Sequence, residues 1–124
     1  MADVVLTWER CETFRRARGA FRQRPCIYVL VAEDEQQLLY VGESGDLWNR
    51  YRGGTGSMVD AALSGSNKIT YAAEAPSDER ERKVIEGSLT YKHKPAHCVH
   101  NKWVEPARVV EVEHRGNAPK RFLA

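Results

Sequence analysis

Cys26-Ile27-Tyr28-Val29-Leu30-Val31 and Leu38-Leu39-Tyr40-Val41-Gly42 are two apolar runs separated by Ala32-Glu33-Asp34-Glu35-Gln36-Gln37, a segment too polar to bury. This pattern reads as strand, turn and strand. Successive side chains of a strand point to opposite faces. Cys26, Tyr28 and Leu30 therefore share a face of the first strand, and Leu38, Tyr40 and Gly42 share one of the second. If Tyr28 and Tyr40 stand opposite each other, the hairpin sets two phenols side by side. A one-residue slip of register sends them to opposite faces. The chain continues Glu43-Ser44-Gly45-Asp46-Leu47-Trp48-Asn49-Arg50-Tyr51-Arg52. Ser44 or Asp46 can cap a helix here, and that helix carries Arg50 back towards the tyrosines.

Upstream, Val4-Val5-Leu6 is a short apolar run, an edge strand or a lead-in. From Trp8 to Arg24 the spacing predicts an amphipathic helix. Cys11, Phe14, Ala17 and Phe21 recur at helical intervals, and Arg10, Arg15, Arg16, Arg22 and Arg24 occupy the other faces. Gly19 weakens this helix by about 1 kcal/mol relative to Ala, and Pro25 ends it. Phe14 and Phe21 need burial, so packing is the first role of this segment. A dimerisation arm and a DNA contact are the alternatives.

Downstream, Gly53-Gly54-Thr55-Gly56 reads as a connector. It lacks the Lys-Ser/Thr of a phosphate-binding loop. Ser57 and Asp60 resemble a capping box opening a short helix through Leu63. Lys68 to Ala73 alternates, with Ile69, Tyr71 and Ala73 on one face, and reads as a third strand. Pro76-Ser77 opens a helix to about His93, with Asp78 and Glu79 favourably placed in its first turn. Val84, Ile85 and Leu89 form its apolar stripe, and Glu86 lies at the stripe's edge. Ala96 to Trp103 is irregular, and Ala107 to His114 alternates as a C-terminal strand before a short tail.

A chain of 124 residues makes one domain, and one of this size buries roughly two-thirds of its unfolded surface. The expected division is a helical extension over 1–24, a core over 25–103 and a strand with tail over 104–124. No apolar run approaches the roughly 20 residues of a membrane helix, and Met1-Ala2-Asp3 opens no signal peptide. Cys11, Cys26 and Cys98 are odd in number and widely spaced, so a cytoplasmic, reducing location is expected rather than a disulfide framework. The net charge of +2 argues only weakly for a nucleic-acid partner. Its distribution says more, because residues 1–24 hold six Arg against three acids, whereas residues 25–75 hold three basic residues against seven acids. The N-terminal arginines form either a basic patch or a solvated helix face.

Ile27-Tyr28, a short turn, Tyr40-Val41-Gly42 and Asp46-Leu47-x-x-Arg50 together resemble the core of the GIY-YIG nuclease superfamily. Arg50 follows Gly42 at the usual spacing. Glu86 lies on a predicted helix where that family keeps its metal-binding Glu, and Asn101 follows a Pro-containing segment as the family's Asn does. The resemblance runs from Cys26 to about Trp103. It implies a small α/β (α+β) fold, a three-stranded, mainly antiparallel sheet flanked by helices, with an N-terminal helix and a C-terminal strand added. It also implies an endonuclease that hydrolyses DNA phosphodiester bonds with Mg²⁺ or Mn²⁺. The implied site is Tyr28, Tyr40, Arg50, Glu86 and Asn101, with Glu86 on the metal and nucleic-acid contacts at Gly42, Arg52, Lys92, Lys94 and Lys102. No attached targeting domain is evident, so the expectation is a targeting partner protein, a homodimer or other oligomer, or weak specificity. Three positions depart from the family pattern. Cys26 replaces a usual Gly, Gly54 stands where many relatives place His or Tyr, and Glu43 follows Gly42 where some carry Lys. A carboxylate at position 43 repels phosphate unless it points away or shares the metal.

The implied chemistry is coherent. A hard cation takes carboxylate and water oxygens and needs few protein ligands. Arg50 can fork onto a phosphate and keeps its charge. A phenol is a poor base at its usual pKa of about 10, but an adjacent cation makes the phenolate less unfavourable. Either tyrosine can then take a proton from water while the other orients water or phosphate. Competing readings remain. A Tyr in an apolar strand is ordinarily a core residue, and Arg50 can simply pair with Asp46 one turn earlier. His93, His97, Cys98 and His100 have spacings that can bind zinc, although they lack a Cys-x-x-Cys pair. A non-catalytic nucleic-acid-binding module on the same fold and a protein–protein interaction domain are the alternative functions.

Overall fold

The strand β2 (Cys26–Ala32) is buried at six of its seven positions. Such a strand needs cover on both faces and partners on both edges, and the rest of the fold supplies them. The computed structural model describes residues 2–50, 68–96 and 106–123. Its strands are β1 (Val4–Glu12), β2, β3 (Leu38–Ser44), β4 (Lys68–Glu74) and β5 (Val112–Gly116), in the sheet order β3-β2-β4-β1-β5. Its helices are α1 (Phe14–Ala20), α2 (Leu47–Arg50), α3 (Glu79–His93) and α4 (Lys120–Leu123). All pairings are antiparallel except β1 with β5, which is parallel. No helix among the described residues is long and apolar enough to cross a membrane.

One face of the sheet carries Ile27, Val29, Val31, Val41, Ile69, Tyr71 and Ala73, covered by Ile85 and Leu89 of α3 and Phe122 of α4. The other carries Cys26, Tyr28, Leu30, Tyr40 and Ala72, covered by Ala17 and Phe21 with Leu47 of α2. The hairpin turn closes with the Ala32 N–H donating to the Gln37 carbonyl at 2.9 Å, and Glu35 takes a left-handed φ of 58°. The expected sharing of a face by Leu38, Tyr40 and Gly42 fails at Leu38. The β2–β3 register shifts between Leu30 and Val31, and the extra residue puts Leu39 with Tyr40 while Leu38 crosses to the α3 face. A bulge reverses the alternation beyond it.

The sheet is mixed and five-stranded, so the expected three-stranded sheet is only its hairpin-and-β4 half. The largest departure is at the N-terminus. Residues 4–12 form β1, an interior strand, where a helix was expected from Trp8. Leu6 and Trp8 are buried and Val5, Thr7 and Glu9 exposed, a period of two that overrides the helical spacing beginning at Cys11. Glu12 turns the chain at φ 64°, and Thr13 then caps α1 by accepting the Arg16 N–H at 3.1 Å. Residues 1–24 are therefore no helical extension, because β1 completes the sheet. β5 begins later than the expected strand and pairs Val4 with Val112 through Trp8 with Gly116. α3 starts at an Asp78 cap, which accepts the Arg80 N–H at 2.8 Å, and stops at Lys94 with φ 50°. The expected Gly53–Gly56 connector and Ser57–Leu63 helix lie outside the described residues.

An aromatic group closes the β1–β5 end. Trp8 Nε1–H donates to His114 Nδ1 at 3.0 Å. His114 stacks on Phe122 at 4.5 Å between centroids, and His93 lies 4.6 Å from the same ring. Burial, reinforced by Lys92, holds both histidines down to a pKa of about 4. In the unfolded chain both titrate near the ordinary value of about 6.5. The unfolded state thus binds more protons between these values, and stability falls with falling pH. The urea midpoint is expected to hold above pH 6.5 and to drop as pH falls from 6.5 to about 4. His93→Leu should flatten part of that slope; an unchanged slope in this variant would count against the assignment.

Candidate functional site

Tyr28 stands opposite Gly42 in the β2–β3 ladder, and Tyr40 stands opposite Leu30. The tyrosines are therefore diagonal neighbours on one face rather than a directly opposed pair. Their ring centroids lie 6.0 Å apart with planes 34° apart. Gly42 makes this possible. A Cβ there would lie 2.4 Å from both Cζ and the hydroxyl oxygen of Tyr28, and 2.8 Å from Cε1. The phenol occupies the space a side chain would need, so the glycine answers a close approach. Phe14 packs edge-on against Tyr28 at 5.8 Å. Tyr28 is 0% exposed and Tyr40 3%. A substrate reaches the Tyr28 hydroxyl only when covering side chains part.

α2 follows at once, and Ser44 and Asp46 share the work of starting it. Ser44 Oγ accepts the Asp46 N–H at 3.1 Å, and Asp46 Oδ1 accepts the Trp48 N–H at 3.2 Å. Asp46 also accepts the Gln23 N–H at 3.0 Å and a hydrogen bond from Asn49 Nδ2 at 2.9 Å. One carboxylate thus fixes α2 to the turn after α1. Arg50 closes α2, but its side chain lies outside the described part, as do Arg52, Gly54, Asn101 and Lys102.

Glu43 points away from the tyrosines. It is buried on the α3 face, where Arg82 Nε–H donates to Glu43 Oε2 at 2.9 Å. Arg82 Nη1 also donates to the carbonyls of Ser77 at 2.7 Å and Pro76 at 3.1 Å. Repulsion of phosphate by Glu43 is removed by its orientation and its partner. Sequence reasoning missed Arg82. The signal was present in Arg82, Ile85 and Leu89, which lie three and four residues apart and put a charge inside an apolar stripe. Cys26 is buried on the tyrosine face, and its thiol is pushed up to about 12, chiefly by burial. It is inert as a nucleophile.

Glu86 lies half-buried on α3, one turn beyond Arg82. α3 packs on the opposite face of the sheet from Tyr28 and Tyr40. The described residues bring the tyrosines together, set α2 beside them and hold Glu86 across the sheet. Lys92 and Lys94 are exposed at the end of α3. Lys94 Nζ donates to the Tyr91 carbonyl at 2.7 Å and lies 4.8 Å over that ring. The Ala96 N–H bonds the Leu38 carbonyl at 3.0 Å, leading the chain to the β3 end. Of the zinc-type constellation, His97, Cys98 and His100 lie outside the described residues, and His93 packs with Phe122. Among the described residues, no three His, Cys, Asp or Glu side chains converge as metal ligands.

Two substitutions probe this arrangement. Gly42→Ala should cost about 1–3 kcal/mol by overpacking, read as a lower urea midpoint. Tyr28→Phe keeps the clashing Cζ and should leave that cost intact, whereas Tyr28→Leu should reduce it; equal costs in both backgrounds would refute the contact. Arg82→Met strands a buried carboxylate and should cost about 3–5 kcal/mol. Adding Glu43→Leu should restore most of that loss, and failure to restore it would show that the pair is not what holds α3 to β3.

Comparison with protein-family models, with curated proteins and with solved structures finds no match to this chain, so the meaning of the site rests on its own geometry and motifs.

Proposed function

We propose that this protein is a GIY-YIG-like endonuclease that hydrolyses DNA phosphodiester bonds with a divalent metal ion, Mg²⁺ or Mn²⁺. One observation carries the reading. Two phenols share one face of the β2–β3 hairpin, Tyr28 filling the space a side chain at Gly42 would need, and α2, which ends at Arg50, follows directly.

Arg50 binds the scissile phosphate through its guanidinium fork. One of the Tyr28 and Tyr40 hydroxyls accepts the proton of the attacking water, and the other orients water or phosphate. Asn101 steadies the local geometry. Gly42, Arg52, Lys92, Lys94 and Lys102 are the proposed contacts to the nucleic-acid backbone. Glu86, a half-buried carboxylate on α3, is the residue that would hold a hard cation, since a carboxylate oxygen is the ligand type such an ion takes. Such an ion, when bound, offsets charge on the phosphoryl oxygens and on the departing 3′-oxygen. The enclosure of the phenols and the position of α3 favour a second reading, a non-catalytic nucleic-acid-binding module on the same fold.

Supercoiled plasmid at low salt with Mg²⁺ or Mn²⁺ separates the two. Nicking or linearisation is expected, abolished by EDTA and reduced in Glu86→Gln by more than the roughly 10–100-fold that outer-shell changes cost. Full activity in Glu86→Gln would remove Glu86 from the metal. Salt-sensitive DNA binding without any cleavage would select the binding module.

A further inference from the structure

The described arginines differ in how they are partnered, and those on α1 stand out from the ion-paired ones. Arg10, Arg24, Arg82, Arg108 and Arg115 each pair with a carboxylate. Arg15, Arg16, Arg18 and Arg22, on α1 and the turn after it, have no carboxylate partner among the described residues. Arg15 and Arg18 lie three apart on α1 and so share a face, and Arg22, in the turn after the helix, joins Arg18 over the Trp48 ring. α1 has no acidic residue in its first turn to offset them.

The stripe is held in place rather than merely solvated. The Arg18 and Arg22 guanidinium carbons lie 5.1 and 5.2 Å from the centre of the Trp48 ring. Arg18 Nη2 also donates to the Trp48 carbonyl at 2.8 Å, and Arg18 Nε is buried without a hydrogen-bond partner. An indole face attracts cations, but two guanidinium groups on one ring repel each other. An anion between them relieves that repulsion. Trp48 orders the long side chains in advance, which lowers the entropy cost of binding. Asp46 in turn pins Trp48's helix to the turn after α1. The same helix sets Phe14 against Tyr28, so the stripe lies on the element that covers that tyrosine.

We propose that Arg15, Arg18 and Arg22, ordered by Trp48, form a docking track for the phosphate backbone of DNA, leading a strand towards the tyrosine hairpin. The destination of that strand rests on the endonuclease reading; the docking does not. A linear stripe of guanidinium forks matches successive phosphates. A membrane surface fits less well, because the large apolar residues exposed here are Val5, Val109 and Leu123, none of them on α1.

The test uses the whole chain in EDTA, so that binding is read without cleavage. Anisotropy of a labelled DNA duplex is followed across a salt series. Arg15→Gln/Arg22→Gln removes two exposed side chains, and an unchanged urea midpoint confirms the fold. Affinity at low salt should fall about tenfold or more, and the slope of log K against log salt should shrink by about 2. Trp48→Leu keeps every charge, so affinity should fall several-fold with the slope unchanged. Arg108→Gln/Arg115→Gln, an equal change in net charge elsewhere, should alter neither quantity. Unchanged affinity and slope in Arg15→Gln/Arg22→Gln would overturn the proposal, as would an equal loss in the Arg108/Arg115 control. Binding to phosphatidylserine vesicles that this variant loses while its DNA binding stays intact would assign the surface to membranes instead. If the variant binds as the wild type does while the wild type still cuts plasmid, the track fails and the nuclease reading stands. A wild type that docks DNA through the stripe without cutting gives the reverse.

Discussion

Burial of β2 on both faces is the constraint on which the rest depends. β3 and β4 take up its two edges, and helices cover its two faces. Every side chain it presents must therefore be accommodated in one core or the other, and a polar atom there must have a reason. Tyr28 is the strand's polar side group, and it is set where Gly42 makes room for it. The partner strand solves the same problem with charge. Glu43 is buried but enters the α3 side, where Arg82 neutralises it and ties together the helix start and the sheet. The two sides of β3 thus differ in kind, aromatic towards α1 and ionic towards α3.

The parts of this architecture that were legible in the sequence are those where one period holds over a whole element. β2, β3 and β4 alternate or run apolar between polar turns, and α3 carries its stripe between Asp78 and Pro95. The N-terminal stretch failed because one window spans two elements. Leu6 and Trp8 repeat every two residues, whereas Phe14, Ala17 and Phe21 repeat as a helix does, and the join at Glu12 and Thr13 leaves no Gly or Pro to mark it. The parallel pairing of β1 with β5 depends on contacts between distant segments, which no local pattern encodes. The bulge at Leu39 was equally hidden, since two adjacent leucines satisfy either face.

For the site, residue types were easier to read than relations. The alternation of the two strands put Tyr28 and Tyr40 on a hairpin, and the resemblance singled them out with Gly42, but the offset that puts Tyr28 over Gly42 follows from strand register. Arg82 and Trp48 were missed because their roles are set by partners far away in sequence, Glu43 for one and Arg18 for the other. The overall charge of +2 conceals a similar point. Several arginines are spent on carboxylates, whereas four without a carboxylate partner among the described residues are gathered on α1 and the turn that follows it.

The place of β1 between β4 and β5 also bears on how the fold assembles. The Glu111 N–H donates to the Asp3 carboxylate at 2.9 Å across 108 positions of sequence, and the β1–β5 ladder lies beside it. The β2–β3 hairpin, by contrast, is closed by a short turn. Loop-closure entropy rises with the length closed, and non-local pairings slow folding. The hairpin that carries the tyrosines is thus the inexpensive part of the sheet to form. The β1–β5 seam, with Leu6 and Trp8 in the core it completes, is the costly part. The tyrosine hairpin is therefore closed by local contacts, whereas the sheet as a whole depends on a pairing between segments more than a hundred residues apart.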